Sequence, residues 1–128
     1  MHLPMKPLFL IPLTLAIAFA LLMGMPLNSI AQTQSEMNEE AASDFETAGK
    51  ELNAVYRQLM GKLDKESQAK LKATQKAWII YRDASADFLA DLEARGGSMF
   101  PLAYHTQRTS ITKQRTEELQ TVLTEHAE

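Results

Sequence analysis

The stretch Gln75-Lys76-Ala77-Trp78-Ile79-Ile80-Tyr81-Arg82-Asp83-Ala84-Ser85-Ala86-Asp87-Phe88-Leu89-Ala90-Asp91-Leu92 has no glycine, no proline and no alternation of period two. Its apolar residues recur at steps of three or four, which is the period of a helix face rather than a strand. Leu71, Gln75, Trp78, Tyr81, Ser85, Phe88 and Leu92 make the expected stripe, with Ala77, Ile79 and Leu89 widening it. The helix is expected to run from about Lys65 to Arg95. Asp64 is placed to cap its N-terminus, and Gly96-Gly97 supplies the left-handed residue that ends helices.

Reading outward, the flanking segments repeat the pattern. Upstream, Met37, Ala41, Phe45, Ala48, Leu52, Val55, Tyr56, Leu59 and Leu63 form one stripe. Thr33 with Glu36 three residues on resembles a capping box and sets the expected start. Gly61 to Asp64 is the expected break. Downstream, Ser98 can cap a third helix or Pro101 can occupy its first turn. That helix carries Leu102, Thr109, Thr112, Thr116, Leu119, Val122 and Leu123, and its apolar face is the thinnest. The expected fold is all-α: a small antiparallel helical bundle of three main helices, the third shorter and packed across the other two.

The N-terminus follows a different rule. Lys6 is the one Lys or Arg before an uncharged run from Pro7 to Met25, and Pro26-Leu27-Asn28-Ser29-Ile30-Ala31 follows, with small residues at Ser29 and Ala31. That order is the secretory pattern, so residues 1–31 are expected to be a cleaved signal peptide and residues 32–128 the working domain, periplasmic or secreted. The competing reading is an uncleaved anchor, since the apolar run approaches the roughly 20 residues that span a bilayer; that would be the chain's one membrane contact. The 97 remaining residues keep 12 of the 13 Lys plus Arg and all 16 Asp plus Glu. An acidic domain is a poor match for nucleic acid and a better one for a basic protein partner. The chain has no cysteine, which excludes disulfides, thiolate metal sites and cysteine nucleophiles.

Several motifs resemble one known family. Thr33-Gln34-Ser35-Glu36-Met37-Asn38, Leu52-Asn53 with Tyr56 and Leu59, Lys62-Leu63-Asp64, Gln75-Lys76-Ala77-Trp78-Ile79-Ile80-Tyr81-Arg82-Asp83, Gly96-Gly97-Ser98 and Thr112-Lys113-Gln114-Arg115-Thr116-Glu117-Glu118-Leu119 are similar to the lysozyme inhibitor LprI-like N-terminal domain. The resemblance covers nearly all of residues 32–128 and is most specific at the Trp78–Asp83 element and the Gly-Gly-Ser that follows it. It implies a small exported helical protein and, through the family name, inhibition of a lysozyme. It marks Trp78, Tyr81, Thr112 and Arg115 as structural positions. Family members usually carry cysteines at the places that align with Glu40, Ala86 and Gln107, so the staple the resemblance implies is missing here.

Three constellations are candidate partner-binding elements. Trp78 and Arg82, four apart, share a face and can stack as a cation–π pair; Arg82 then either meets a ligand carboxylate or pins the third helix through its threonines or the Gly-Gly turn. Asp83, Asp87 and Asp91 form an i, i+4, i+8 ladder, either an acidic ridge for a basic enzyme or a solvated face. Three such carboxylates without loop carbonyls make a poor metal cage, and no metal or cofactor is expected. Gly96, Gly97 and Ser98, followed by Met99 and Phe100, are either a rigid loop offered to a hydrolase cleft or simply a cap between helices. His105 beside Tyr104 can titrate, but no nucleophile elbow or ordered triad accompanies it, and an enzyme is not expected. Two functions follow: an inhibitor of a lysozyme or other basic cell-wall hydrolase, or a non-inhibitory structural or stress-related envelope module docking on another envelope protein.

Overall fold

The computed structural model describes residues 27–126. Residues 34–128 form one compact unit, and of residues 1–33 only the opening turns of the first helix are described. The apolar run from Pro7 to Met25 lies outside the described residues. Among the described residues there are three helices: α1 over Leu27–Met60, α2 over Lys65–Ala94 and α3 over Phe100–His126. The all-α bundle read from the sequence is the architecture.

The turns obey the local chemistry. At the α1–α2 turn the Asp64 carboxylate accepts from the Ser67 amide at 2.8 Å, and that bond holds its carboxyl below the ordinary range. The Gln68 side chain reaches back to donate to the carbonyls of Met60 (2.9 Å) and Leu63 (3.1 Å), satisfying groups that a helix end orphans. At the α2–α3 turn Gly96 takes φ +66°, a conformation a Cβ disfavours, and the Gly97 amide closes on the Ala94 carbonyl at 2.9 Å. Pro101 stands in the first turn of α3, where its missing N–H costs nothing.

Cross-helix pairs fix the topology. Gln107 donates to Glu93, Arg108 to Asp83 and Arg115 to Gln75. The numbers rise on α3 as they fall on α2, so these helices are antiparallel neighbours. Phe45 meets Arg108, while Leu59 clusters with Leu119 and Leu123; α1 and α3 therefore run parallel, in an up-down-up bundle. Leu52, Leu59, Leu119 and Leu123 form the buried centre, with Val55, Tyr56, Leu63, Leu71 and Trp78 packed around it.

Three details differ from expectation. First, α1 begins at Leu27, not Thr33, and the Thr33 hydroxyl donates to the Ser29 carbonyl at 2.8 Å within the helix instead of capping it. Nothing between Leu27 and Thr33 breaks a helix, so the capping box never forms. Second, α3 is the shortest helix as expected, at 27 residues against 34 and 30, but it lies alongside α2 rather than across it. Its threonine-rich face sufficed because Ala103, Thr112, Leu119 and Leu123 are all buried. Third, α2 presents a different face. Trp78 is half-buried as expected, but the helix then buries Ala86 and Ala90 and half-buries Arg82 and Leu89, leaving Tyr81, Phe88, Leu92 and Ile79 exposed. Ala86 and Ala90 have no exposed surface, and small side chains let two helix axes approach closely; Phe88 and Leu92 on that side would hold them apart.

Candidate functional site

The unexpected inner face of α2 creates an arginine–aromatic ladder. The Arg82 guanidinium lies 5.0 Å from the Phe45 ring centre and 5.2 Å from that of Trp78. Arg108 lies 3.7 Å from Phe45 and 5.0 Å from Tyr104, and Arg115 stands 6.0 Å from Trp78. All three arginine side chains are nearly covered, at 12%, 17% and 13% exposure. Guanidinium is more weakly hydrated than ammonium and stacks flat on aromatic rings, so it tolerates this setting.

One carboxylate organises the ladder. Asp83 Oδ1 accepts from Arg82 Nε at 2.8 Å and from Arg108 Nε at 3.1 Å. Partial burial pushes the Asp83 carboxyl up, but the hydrogen bonds and charges of the two arginines outweigh it and hold the group below its ordinary range. Arg115 is bound by Gln75 Oε1 at 3.2 Å and by Glu118 at 3.0 Å. Arg82 therefore reaches α3 through a shared aspartate, not through the threonines or the Gly-Gly turn. Thr112, fully buried between Arg108 and Arg115 in sequence, has no partner for its hydroxyl.

The three-aspartate row divides by environment. Asp83 belongs to the ladder. Asp91 is held by Arg95, whose Nε donates at 2.9 Å, and this lowers its carboxyl. Asp87 is exposed and has no ion-pair partner among the described residues. Gly96, Gly97 and Ser98 are exposed, and Met99 is partly so, with its sulfur accepting from Gln34 Nε2 at 3.3 Å. Phe100 turns inward and stacks on Tyr104, ring centres 6.1 Å apart. Tyr81 stands on the outer face of α2. Among the described residues, no three His, Asp or Glu side chains gather as a metal site. A shallow groove of about 270 Å³ beside the loop is bordered by Glu93, Ala94, Met99 and Leu102.

A scan against family models matches the lysozyme inhibitor LprI family over residues 28–119, from the first turn of α1 to the buried Leu119. The chain belongs to the LprI family. That family is named for inhibiting an enzyme, not for catalysis. This LprI-family chain is also 37% identical, over 106 residues, to an uncharacterised protein of Rhizobium meliloti (strain 1021), covering 73% of this chain and 76% of that one. No solved structure matches it.

Family membership gives the missing cysteines a structural setting. Ala86 on α2 is fully buried, Gln107 on α3 is half-buried and bonds Glu93 at 3.0 Å, and Glu40 on α1 is exposed. In this LprI-family chain packing occupies the Ala86 position and polar pairing the Gln107 position, while Glu40 faces water. Sequence reading singled out Trp78, Arg82, Thr112 and Arg115 but missed Phe45, Tyr104 and Arg108 as one unit. The available signal was Tyr104, Arg108 and Arg115 at helical spacings of four and seven.

Proposed function

We propose that this chain is an exported envelope protein that binds a lysozyme, or a related basic cell-wall hydrolase, and inhibits it by surface complementarity without catalysis of its own. Membership of the LprI family carries the reading, because the matched stretch runs through all three helices and the family is described by lysozyme inhibition. Export fits the pattern of residues 1–31. Cleavage after Ala31 would remove the exposed Asn28–Ala31 from α1, and the buried residues among those described begin only at Ala41.

The chemistry of the domain supports a binding role. Its charge is acidic, which favours encounter with basic proteins. The arginine–aromatic ladder is internally paired and stiffens the three helices as a platform. Gly96–Ser98 and the outer carboxylates Asp87 and Asp91 are the accessible elements among those singled out in the sequence.

The test is lysozyme turnover on a peptidoglycan suspension with the purified protein in micromolar excess. Slowed turnover supports the proposal. Undiminished turnover rejects inhibition and leaves the envelope-docking module as the reading to pursue.

A further inference from the structure

The outer face of α2 is apolar in a way the bundle does not use. Tyr81, Phe88 and Leu92 are 63%, 61% and 65% exposed, and Ile80 is 72% exposed. At 100° per residue, Phe88 and Leu92 fall within about 20° of the direction of Tyr81, so the three side chains form one line along the helix. Ala77 and Ala84 border it. Singly exposed apolar residues are ordinary, but a contiguous patch of them marks an interaction site. Aromatic residues in particular dominate contact energies.

What surrounds the line indicates what covers it. Asp87 and Asp91 lie four apart along one flank, Asp87 without an ion-pair partner among the described residues and Asp91 paired with Arg95. Residues 32–128 carry 16 Asp plus Glu against 12 Lys plus Arg, so a second copy brings like charge to the face whereas a basic protein brings opposite charge. The complementary partner has an apolar patch rimmed by lysine or arginine. Beside Gly96–Ser98, Phe100 is turned inward onto Tyr104 and Met99 is a single exposed apolar side chain whose sulfur accepts from Gln34, so the loop offers no comparable line of anchors.

We infer that the outer face of α2, with Tyr81, Phe88 and Leu92 as anchors and Asp87 as a charge guide, is the surface that docks a basic protein. This rests on the proposed function and names the surface that performs it. The helix thereby does two jobs with opposite faces: Trp78, Arg82, Ala86 and Ala90 build the bundle, while Tyr81, Phe88 and Leu92 meet the partner.

The experiment uses the full chain, produced with its own N-terminal segment and purified from the envelope, with a basic lysozyme as the probe. Binding and inhibition are measured separately for the wild type, Tyr81→Ser/Phe88→Ser, Asp87→Lys and Ser98→Arg, and a thermal melt checks folding. All four positions are exposed, so melts within about 2 °C of wild type are expected. The double variant should weaken binding at least tenfold. Asp87→Lys should weaken it about threefold at low salt and less at high salt, and Ser98→Arg should leave it unchanged. Wild-type binding that survives in the double variant overturns this inference alone. Wild-type binding without inhibition, lost in the double variant, keeps the surface and rejects the inhibitory role. A wild type that neither binds nor inhibits sinks both. If sedimentation shows a wild-type dimer that the double variant abolishes, the face belongs to a second copy and the inference is wrong.

Discussion

The two ends of the bundle are held by opposite chemistries. Around the α1–α2 turn, Leu52, Leu59, Leu119 and Leu123 make a dry apolar centre. Toward the α2–α3 turn, the same three helices are joined by Phe45, Trp78 and Tyr104 interleaved with Arg82, Arg108 and Asp83. The leucine end gains stability from area removed from water and asks little of geometry. The arginine end must keep each cation stacked and paired, because a charge left alone under cover is costly. A domain without disulfides thus gets bulk stability from one end and a fixed helix register from the other.

The largest effect should come from the leucine end. Leu59 is 1% exposed, and Leu59→Ala should cost about 2–5 kcal/mol through lost burial and a residual cavity. Chemical denaturation measures it. A loss under 1 kcal/mol would mean that the leucine end is not the main source of stability.

At the arginine end, Asp83→Asn removes the carboxylate shared by two covered guanidiniums. Asp83 is itself partly open to water, so the cost should be about 1–2 kcal/mol rather than that of a fully buried pair. It also has a pH signature. The folded-state carboxyl lies below its ordinary value of 3.8, so its contribution is present above that pH and is lost as acidity carries it through the lower folded value. The variant should show a shallower loss of stability below pH 4 than the wild type. Identical acid limbs would mean Asp83 does not organise the ladder.

Between the ends lies Thr112, fully buried with an unpartnered hydroxyl. Thr112→Val keeps the shape and removes a polar group that gains nothing there, so it should stabilise by about 1 kcal/mol. Destabilisation would show that the hydroxyl has a partner, and would extend the polar end one turn further.

This comparison also explains what the sequence disclosed. The helices, the Asp64 cap and the Gly96 turn were legible because each depends on a few neighbouring residues. The leucine end was legible because steps of three and four in leucine follow directly from the helix period. The inner face of α2 was not. Hydropathy prefers Tyr81, Phe88 and Leu92 over Arg82, Ala86 and Ala90, and only the close approach of α3 reverses that order. The value of Arg82 depends on Phe45, 37 positions upstream, and on Arg108, 26 downstream, a juxtaposition no local pattern encodes. The candidate surface was obscured for the same reason, since residues read as core turn out to face water. The start of α1 was misplaced because a plausible cap loses to an uninterrupted helix.

The smallest expected effect tests whether the arginine end is electrostatically tight. His105 sits beside Phe45 and Tyr104, at ring-centre distances of 6.4 and 5.7 Å, with its Nδ1 buried and unpartnered. Burial lowers its affinity for a proton, and the positive charge of Arg108 lowers it further. The folded state therefore binds that proton less readily than the unfolded chain. Above the ordinary histidine value of 6.5 both states are neutral and nothing is lost. As pH falls below it, the unfolded chain protonates first, so stability declines until the lower folded value is reached. Carboxylates do not titrate until about pH 4, which leaves a window near pH 5–6.5 where histidine dominates. The denaturation midpoint should drop modestly across that window, and His105→Asn should flatten the drop. A slope unchanged by His105→Asn would mean that the cation of Arg108 is screened from the ring, and that the arginine end tolerates charge more loosely than its stacked geometry suggests.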